Sequence, residues 1–131
     1  MDWMEVETTS HEFTVLILCG GGWCQQYEDY LTAINDIVFP IRAMNGDIFC
    51  VAQQGPKRDI IGPAKLRVYR DALQEISKLY YRAPSNKPLP LVVIVGKDKD
   101  KVLFRWEPHE DETSLAPKHV LQFAKLMYTK K

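Results

Sequence analysis

Apolar positions along the chain follow two rhythms, and the change between them marks out its elements. FTVLILC (Phe13–Cys19) is mostly apolar on both alternating faces, Phe13/Val15/Ile17/Cys19 and Thr14/Leu16/Leu18. A run of this kind predicts a strand covered on both sides, usually central in a parallel sheet. Gly20-Gly21-Gly22 breaks it. From Gln25 the period lengthens: Tyr27, Tyr30, Leu31, Ile34, Ile37, Val38, Ile41 and Met44 share one stripe of a helix. Asn45-Gly46 predicts its end, with the glycine taking the left-handed conformation. Pro40, inside the stripe, predicts a kink or a division into two short helices.

DIFCVAQQ (Asp47–Gln54) predicts a second strand, completing a βαβ unit that must be parallel. QQGPKRDIIGPAK reads as a loop, and LRVYR as a short strand or the opening of a helix. DALQEISKLYY (Asp71–Tyr81) predicts a helix with Asp71 as cap and Leu73, Ile76, Leu79 and Tyr80 on its apolar face. The Pro-rich APSNKPLP leads into LVVIVG (Leu91–Gly96), a third buried strand. KDKDK is a charged turn into VLFRW (Val102–Trp106), which predicts an antiparallel pair. After the acidic loop PHEDETS, LAPKHVLQFAKLMY predicts a helix with Val120, Phe123, Ala124 and Met127 turned inward.

The order β-α-β-(β)-α-β-β-α predicts an α/β domain with a central mixed sheet flanked by helices, a parallel βαβ half followed by an antiparallel ββα half. That is the thioredoxin-like plan. The 131 residues fit one domain (1–131), since domains of roughly 100–150 residues are commonest. Residues 1–12 read as a short N-terminal extension. With 17 basic and 17 acidic side chains, the balance argues against a nucleic-acid or anionic-lipid surface. No apolar run is long enough for a membrane helix, and MDWMEVETTSHE lacks an apolar secretory core. Three cysteines, an odd count at low density, fit a reducing compartment, so the expected location is cytoplasmic.

The chemistry concentrates at Gly22-Trp23-Cys24-Gln25-Gln26-Tyr27, between the first strand and the first long helix. Thiol exchange and peroxide reduction both require a thiolate. A cysteine at a helix N-terminus gains from unpaired N–H groups and the positive dipole end, and Cys24 is placed for that. Its pKa is therefore expected below the free value of about 8.5. The glycines let a small oxidant or a partner thiol approach the backbone.

The stretch CGGGWCQQYEDYLTAINDIVFPIRAMNGDIFCVAQQ resembles the peroxiredoxin-like family of the alkyl hydroperoxide reductase/thiol-specific antioxidant type. LRVYRDALQEISKLY and PLPLVVIVGKDKDKVLFRW are similar to that family's second half, so the likeness runs from Phe13 onward. It implies a thioredoxin-like fold and a redox role for Cys24. Thioredoxin-fold proteins carry Trp-Cys-x-x-Cys here; this chain keeps Trp23-Cys24 and has Tyr27 in place of the second cysteine. The resemblance also implies a cis proline before the third strand, at Pro90, facing the active cysteine. Gly21 stands where peroxiredoxins place Thr or Ser, Leu89 where they place a thiolate-holding Arg, and Gly20 replaces another Arg of the family. Arg105 or Arg70 could supply that charge.

Two functions follow. The first is a thiol-dependent oxidoreductase with Cys24 as its one redox cysteine, acting on a peroxide or a disulfide. Gly22, Trp23, Tyr27 and Pro90 would frame the substrate and Arg105 would steady the thiolate. An external thiol, glutathione or a thioredoxin-like protein, would restore Cys24. The second is a redox-inactive module of the same fold that binds a protein segment in a Trp23/Pro90 groove. A homodimer is compatible with either. Tyr27 is a lid over the pocket or part of the core, with the core reading ahead. Cys19 and Cys50 read as small hydrophobes inside neighbouring strands. His11, His109 and His119 lack ligand spacing, and the glycine triplet lacks the Lys-Ser/Thr of a phosphate loop, so neither metal nor cofactor is expected.

Overall fold

The computed structural model describes residues 12–19, 25–52, 60–70, 91–96, 102–106 and 115–129. Strand β1 (Phe13–Cys19) runs into α1 (Gln25–Ala43) and β2 (Gly46–Ala52). Strands β3 (Ile60–Ile61), β4 (Leu66–Arg70), β5 (Leu91–Gly96) and β6 (Val102–Trp106) follow, and α2 (Pro117–Thr129) comes last. The six strands form one sheet in the order β3-β4-β2-β1-β5-β6. β1 lies parallel to β2 and antiparallel to β5, so the sheet is mixed, as expected. The helix expected over Asp71–Tyr81, the KDKDK turn and the N-terminal extension at 1–11 lie outside the described residues.

All seven residues of β1, and those of β2 and β5, are buried. On one face Phe13, Val15, Ile17, Cys50, Val92 and Ile94 pack with the apolar stripes of α1 and α2. On the other, Leu16, Leu18, Phe49, Val51, Leu91, Val93 and Val95 form a second cluster joined by Tyr69. Two-sided burial explains why these strands read as continuous apolar runs with no alternation. Phe104 of β6 stacks on Phe123 of α2 with ring centroids 4.2 Å apart, seating α2 over the β5–β6 edge.

Three local readings change and one open alternative is decided. Pro40 neither ends nor divides α1, which is one uninterrupted helix. The proline is exposed and sits in the last turns, so the carbonyl deprived of its N–H partner faces water rather than core. The left-handed residue after α1 is Asn45 (φ 60°), not Gly46, which already belongs to β2. Gly46 is needed for space instead: a Cβ there would lie 2.4 Å from the Phe13 ring. Ile60-Ile61 leaves the predicted loop to pair antiparallel with Leu66-Arg67. LRVYR is a strand, parallel to β2.

Polar side chains tie α1 to the sheet at two heights. Asn35, buried in mid-helix, donates from Nδ2 to the Leu31 carbonyl (3.0 Å) and accepts the Ala64 N–H at Oδ1 (3.0 Å). Gly62 (φ 76°) opens the turn that brings Ala64 there, and a Cβ on it would strike the Asn35 amide at 2.4 Å. At the other end of the sheet, Asp47 accepts from Arg67 Nη2 (2.7 Å) and from the Ile48 N–H (2.8 Å), with Arg42 of α1 at 3.6 Å. Buried carboxylates are held this way because an unpaired charge away from water is costly.

Gly46→Ala is expected to cost about 1–3 kcal/mol, the usual range for overpacking a filled core. Denaturant unfolding monitored by circular dichroism checks it, and an unchanged midpoint would show that the Phe13 ring moves aside freely.

Candidate functional site

The strand registers bring chemically interesting segments to one end of the sheet. Cys19, Ala52 and Arg70, the last residues of β1, β2 and β4, lie abreast. Leu91, the first residue of β5, pairs with Leu18, and Val92 pairs with Trp106, the last residue of β6. The chain leaves β1 at Cys19 and re-enters regular structure at Gln25, where α1 starts. Residues 20–24 thus connect the strand's exit to the helix N-terminus, and Pro90 directly precedes Leu91 in sequence. Cys24, Gly22, Trp23 and Pro90 themselves, with the cis form expected at Pro90, lie outside the described residues.

Tyr27 and Arg105 are described. Tyr27 is 2% exposed and belongs to the core cluster with Cys19, Tyr30 and Leu31. Arg105 is half-buried on β6 and stands opposite Val93, which in turn stands opposite Leu16. It is therefore two strands from β1, about 10 Å across the sheet. Its side chain shares the sheet face of Val93 and Leu16, opposite to the face on which α1 packs.

The first turn of α1 carries Glu28, whose charge complements the helix dipole, and Gln25 Nε2 donates to Asp29 Oδ1 at 2.8 Å. One turn further, the Tyr30 hydroxyl donates to the Leu115 carbonyl at 2.6 Å, fastening α1 to the segment that opens α2. Burial, and after it the nearby Cys19 sulfur, push the Tyr30 phenol well above its ordinary range. Tyr30 is thus a neutral donor at any physiological pH.

Two buried thiols meet below this end of the helix. Cys50 Sγ lies 3.6 Å from Cys19 Sγ, and both residues are buried. Sequence reasoning placed each as a hydrophobe but not their contact. The inward alternation of β1 and β2 puts both on one face; the register that makes them diagonal neighbours is not written in either strand alone. Asp47, Asn35 and Tyr30 were likewise missed as polar anchors, because a lone polar residue in an apolar pattern does not name its partner.

No family model and no curated protein matches this chain in sequence. Solved structures do match in shape. The peroxiredoxin 6 of Arenicola marina superposes with a TM-score of 0.71 at 13% identity, covering 100% of this chain and 67% of that one. Mycobacterium tuberculosis AhpC gives 0.69 at 10% identity, covering 94% and 73%. A putative thiol:disulfide interchange protein DsbE from Chlorobium tepidum gives 0.63 at 15% identity, covering 94% and 84%. The fold is thioredoxin-like. Peroxiredoxins and thiol:disulfide interchange proteins stand side by side among these structural neighbours, so the likeness is to the architecture they share. Within the described residues no helix is long and apolar enough to cross a membrane.

Tyr30→Phe is expected to cost about 1–3 kcal/mol, because it leaves the buried Leu115 carbonyl without its donor. The raised phenol also sets a pH dependence. Above the unfolded value of about 10 the unfolded chain releases a proton that the folded one retains, so stability falls as pH rises further. Denaturation midpoints measured from pH 8 to about 11 should decline less steeply in Tyr30→Phe than in the parent. Parallel slopes would mean that Tyr30 ionises freely in the folded protein.

Proposed function

We propose that this protein is a thiol-dependent oxidoreductase that uses Cys24 as its one redox cysteine. The observation supporting it is topological. The exit of β1, the N-terminus of a 19-residue helix and the entry of β5 converge on one end of the sheet, and Cys24 and Pro90 adjoin those termini in sequence. A helix N-terminus presents unpaired N–H groups and positive potential, which favour a thiolate on the residue at its start.

In the proposed cycle the Cys24 thiolate attacks a peroxide oxygen. The O–O bond breaks, the leaving oxygen takes up a proton, and Cys24 becomes a sulfenic acid. An external thiol such as glutathione displaces water to give a mixed disulfide. A second thiol attacks that disulfide, releasing the oxidised reductant and regenerating Cys24. With a disulfide substrate the cycle begins at the mixed disulfide. Tyr27 in place of a second cysteine removes the local Cys-x-x-Cys route, so the external thiol is obligatory. Gly22, Trp23 and Pro90 would frame the substrate with backbone groups and an aromatic wall, while Tyr27, buried in the core, would support that wall from beneath.

Alkylation of Cys24 followed against pH should show a midpoint below about 8.5, the free-thiol value. Cys24→Ser should abolish turnover of hydrogen peroxide and of a small disulfide when glutathione is the reductant. A midpoint at the free value, with turnover equal in parent and variant, would instead favour a redox-inactive module that binds a protein segment. Fast alkylation with no peroxide consumption would keep disulfide exchange and discard the peroxidase step. Arg105→Met should raise the alkylation midpoint if its guanidinium reaches the thiolate along the sheet, and an unchanged midpoint removes Arg105 from the site.

A further inference from the structure

We propose that Cys19 and Cys50 form a second redox site, a buried dithiol that a hydroperoxide converts to an intramolecular disulfide between β1 and β2. The two sulfurs are 3.6 Å apart, already in contact. A disulfide requires about 2.05 Å, so the sulfurs need to close by about 1.5 Å. Cys50 faces Ile17 and Cys19 faces Ala52, which makes the cysteines diagonal neighbours on parallel strands. Bridging a diagonal draws the strands together, and the place where this is easiest is their shared end. Cys19 and Ala52 are the last paired residues there, and the glycine triplet at 20–22 follows directly in sequence.

Access sets the order of events. Cys19 is 2% exposed and Cys50 is 0% exposed. A reagent arriving from solvent therefore meets Cys19 first, when the strand end opens locally. The Cys19 thiolate attacks one peroxide oxygen, the O–O bond breaks, and the other oxygen leaves with a proton as water or alcohol. Cys19 is now a sulfenic acid. Cys50 sulfur attacks Cys19 sulfur, the S–O bond breaks, and the departing hydroxide takes the Cys50 proton as water. Two thiols lose two electrons and two protons, and the peroxide is reduced by the same two electrons. The neutral Tyr30 phenol, close enough to Cys19 to feel its charge, stays protonated throughout.

This chemistry requires no Cys24 thiol, so its test removes that residue. The full-length Cys24→Ser variant is treated with hydrogen peroxide in the folded state, alongside glutathione as an internal reporter of oxidation. It is then denatured with an alkylating agent, and thiols are counted by intact mass and peptide mapping. The expected result is near-complete loss of both alkylatable thiols, a mass lower by two hydrogens, one peptide joining Cys19 to Cys50, and recovery by dithiothreitol. Cys19→Ala in the same background should leave Cys50 reduced. Two alkylatable thiols remaining after the glutathione is oxidised would overturn the proposal. So would a sulfinic or sulfonic acid on Cys19 with Cys50 still free, or a cross-link between chains through Cys19. Should Cys19→Ala fail to fold, the mass of the Cys24→Ser parent decides alone.

Discussion

The burial of β1 on both faces is the constraint from which the rest of the structure follows. A strand with no solvent side must be flanked by paired strands and covered above and below, or its backbone and side chains are left unsatisfied. Here β2 pairs with it in parallel on one side and β5 antiparallel on the other. A parallel neighbour that comes next in sequence obliges the chain to cross back over the sheet, and α1 is that crossing. The exit of β1 and the start of α1 consequently share one end of the sheet. The segment carrying Trp23 and Cys24 joins those two termini in sequence.

A helix whose start adjoins the proposed redox cysteine must also be held still. Three polar ties distribute that task along α1. Tyr30 binds the Leu115 carbonyl near the N-terminus, Asn35 grips the Gly62–Lys65 turn at mid-length, and Arg42 approaches Asp47 near the C-terminus. Hydrophobic packing alone permits a helix to slide or roll at small cost, because apolar contacts are non-directional. Hydrogen bonds from buried side chains fix register, since breaking one strands a polar atom away from water. Each tie reaches a different part of the fold: the segment before α2, the β3–β4 turn and the start of β2.

Elements defined by periodicity were legible in the sequence. Phe13–Cys19 and Leu91–Gly96 are strands over the bounds their composition predicts, and the stripe from Tyr27 to Ile41 is buried. What depends on a partner elsewhere was not legible. Ile60-Ile61 is too short to show a period, and it is a strand only because Leu66-Arg67 lies beside it. Asn45 and Gly46 divide the roles that one glycine seemed to fill; the Phe13 ring, distant in sequence, decides that the glycine is kept for space. Pro40 does not divide α1, and a linear pattern does not reveal whether the carbonyl it strands has water available. Of the candidate site, the helix start and the strand ends were legible, whereas the sulfur contact of Cys19 with Cys50 needed the β1–β2 register.

The same register gives the chain a buried pair of thiols at one end of its sheet. Cys19 and Cys50 point to the α1 face within its core cluster, where solvent arrives only through local opening. Cys24, the redox cysteine proposed above, directly precedes α1 in sequence. In the cycle proposed for Cys24 that thiol responds to each encounter with substrate, whereas the buried pair responds to oxidant that persists across openings of the strand ends. A bond between β1 and β2 would stiffen the strand from which the Cys24 segment departs. Sustained oxidant would then reach residues 20–24 through the backbone that joins Cys19 to Gln25.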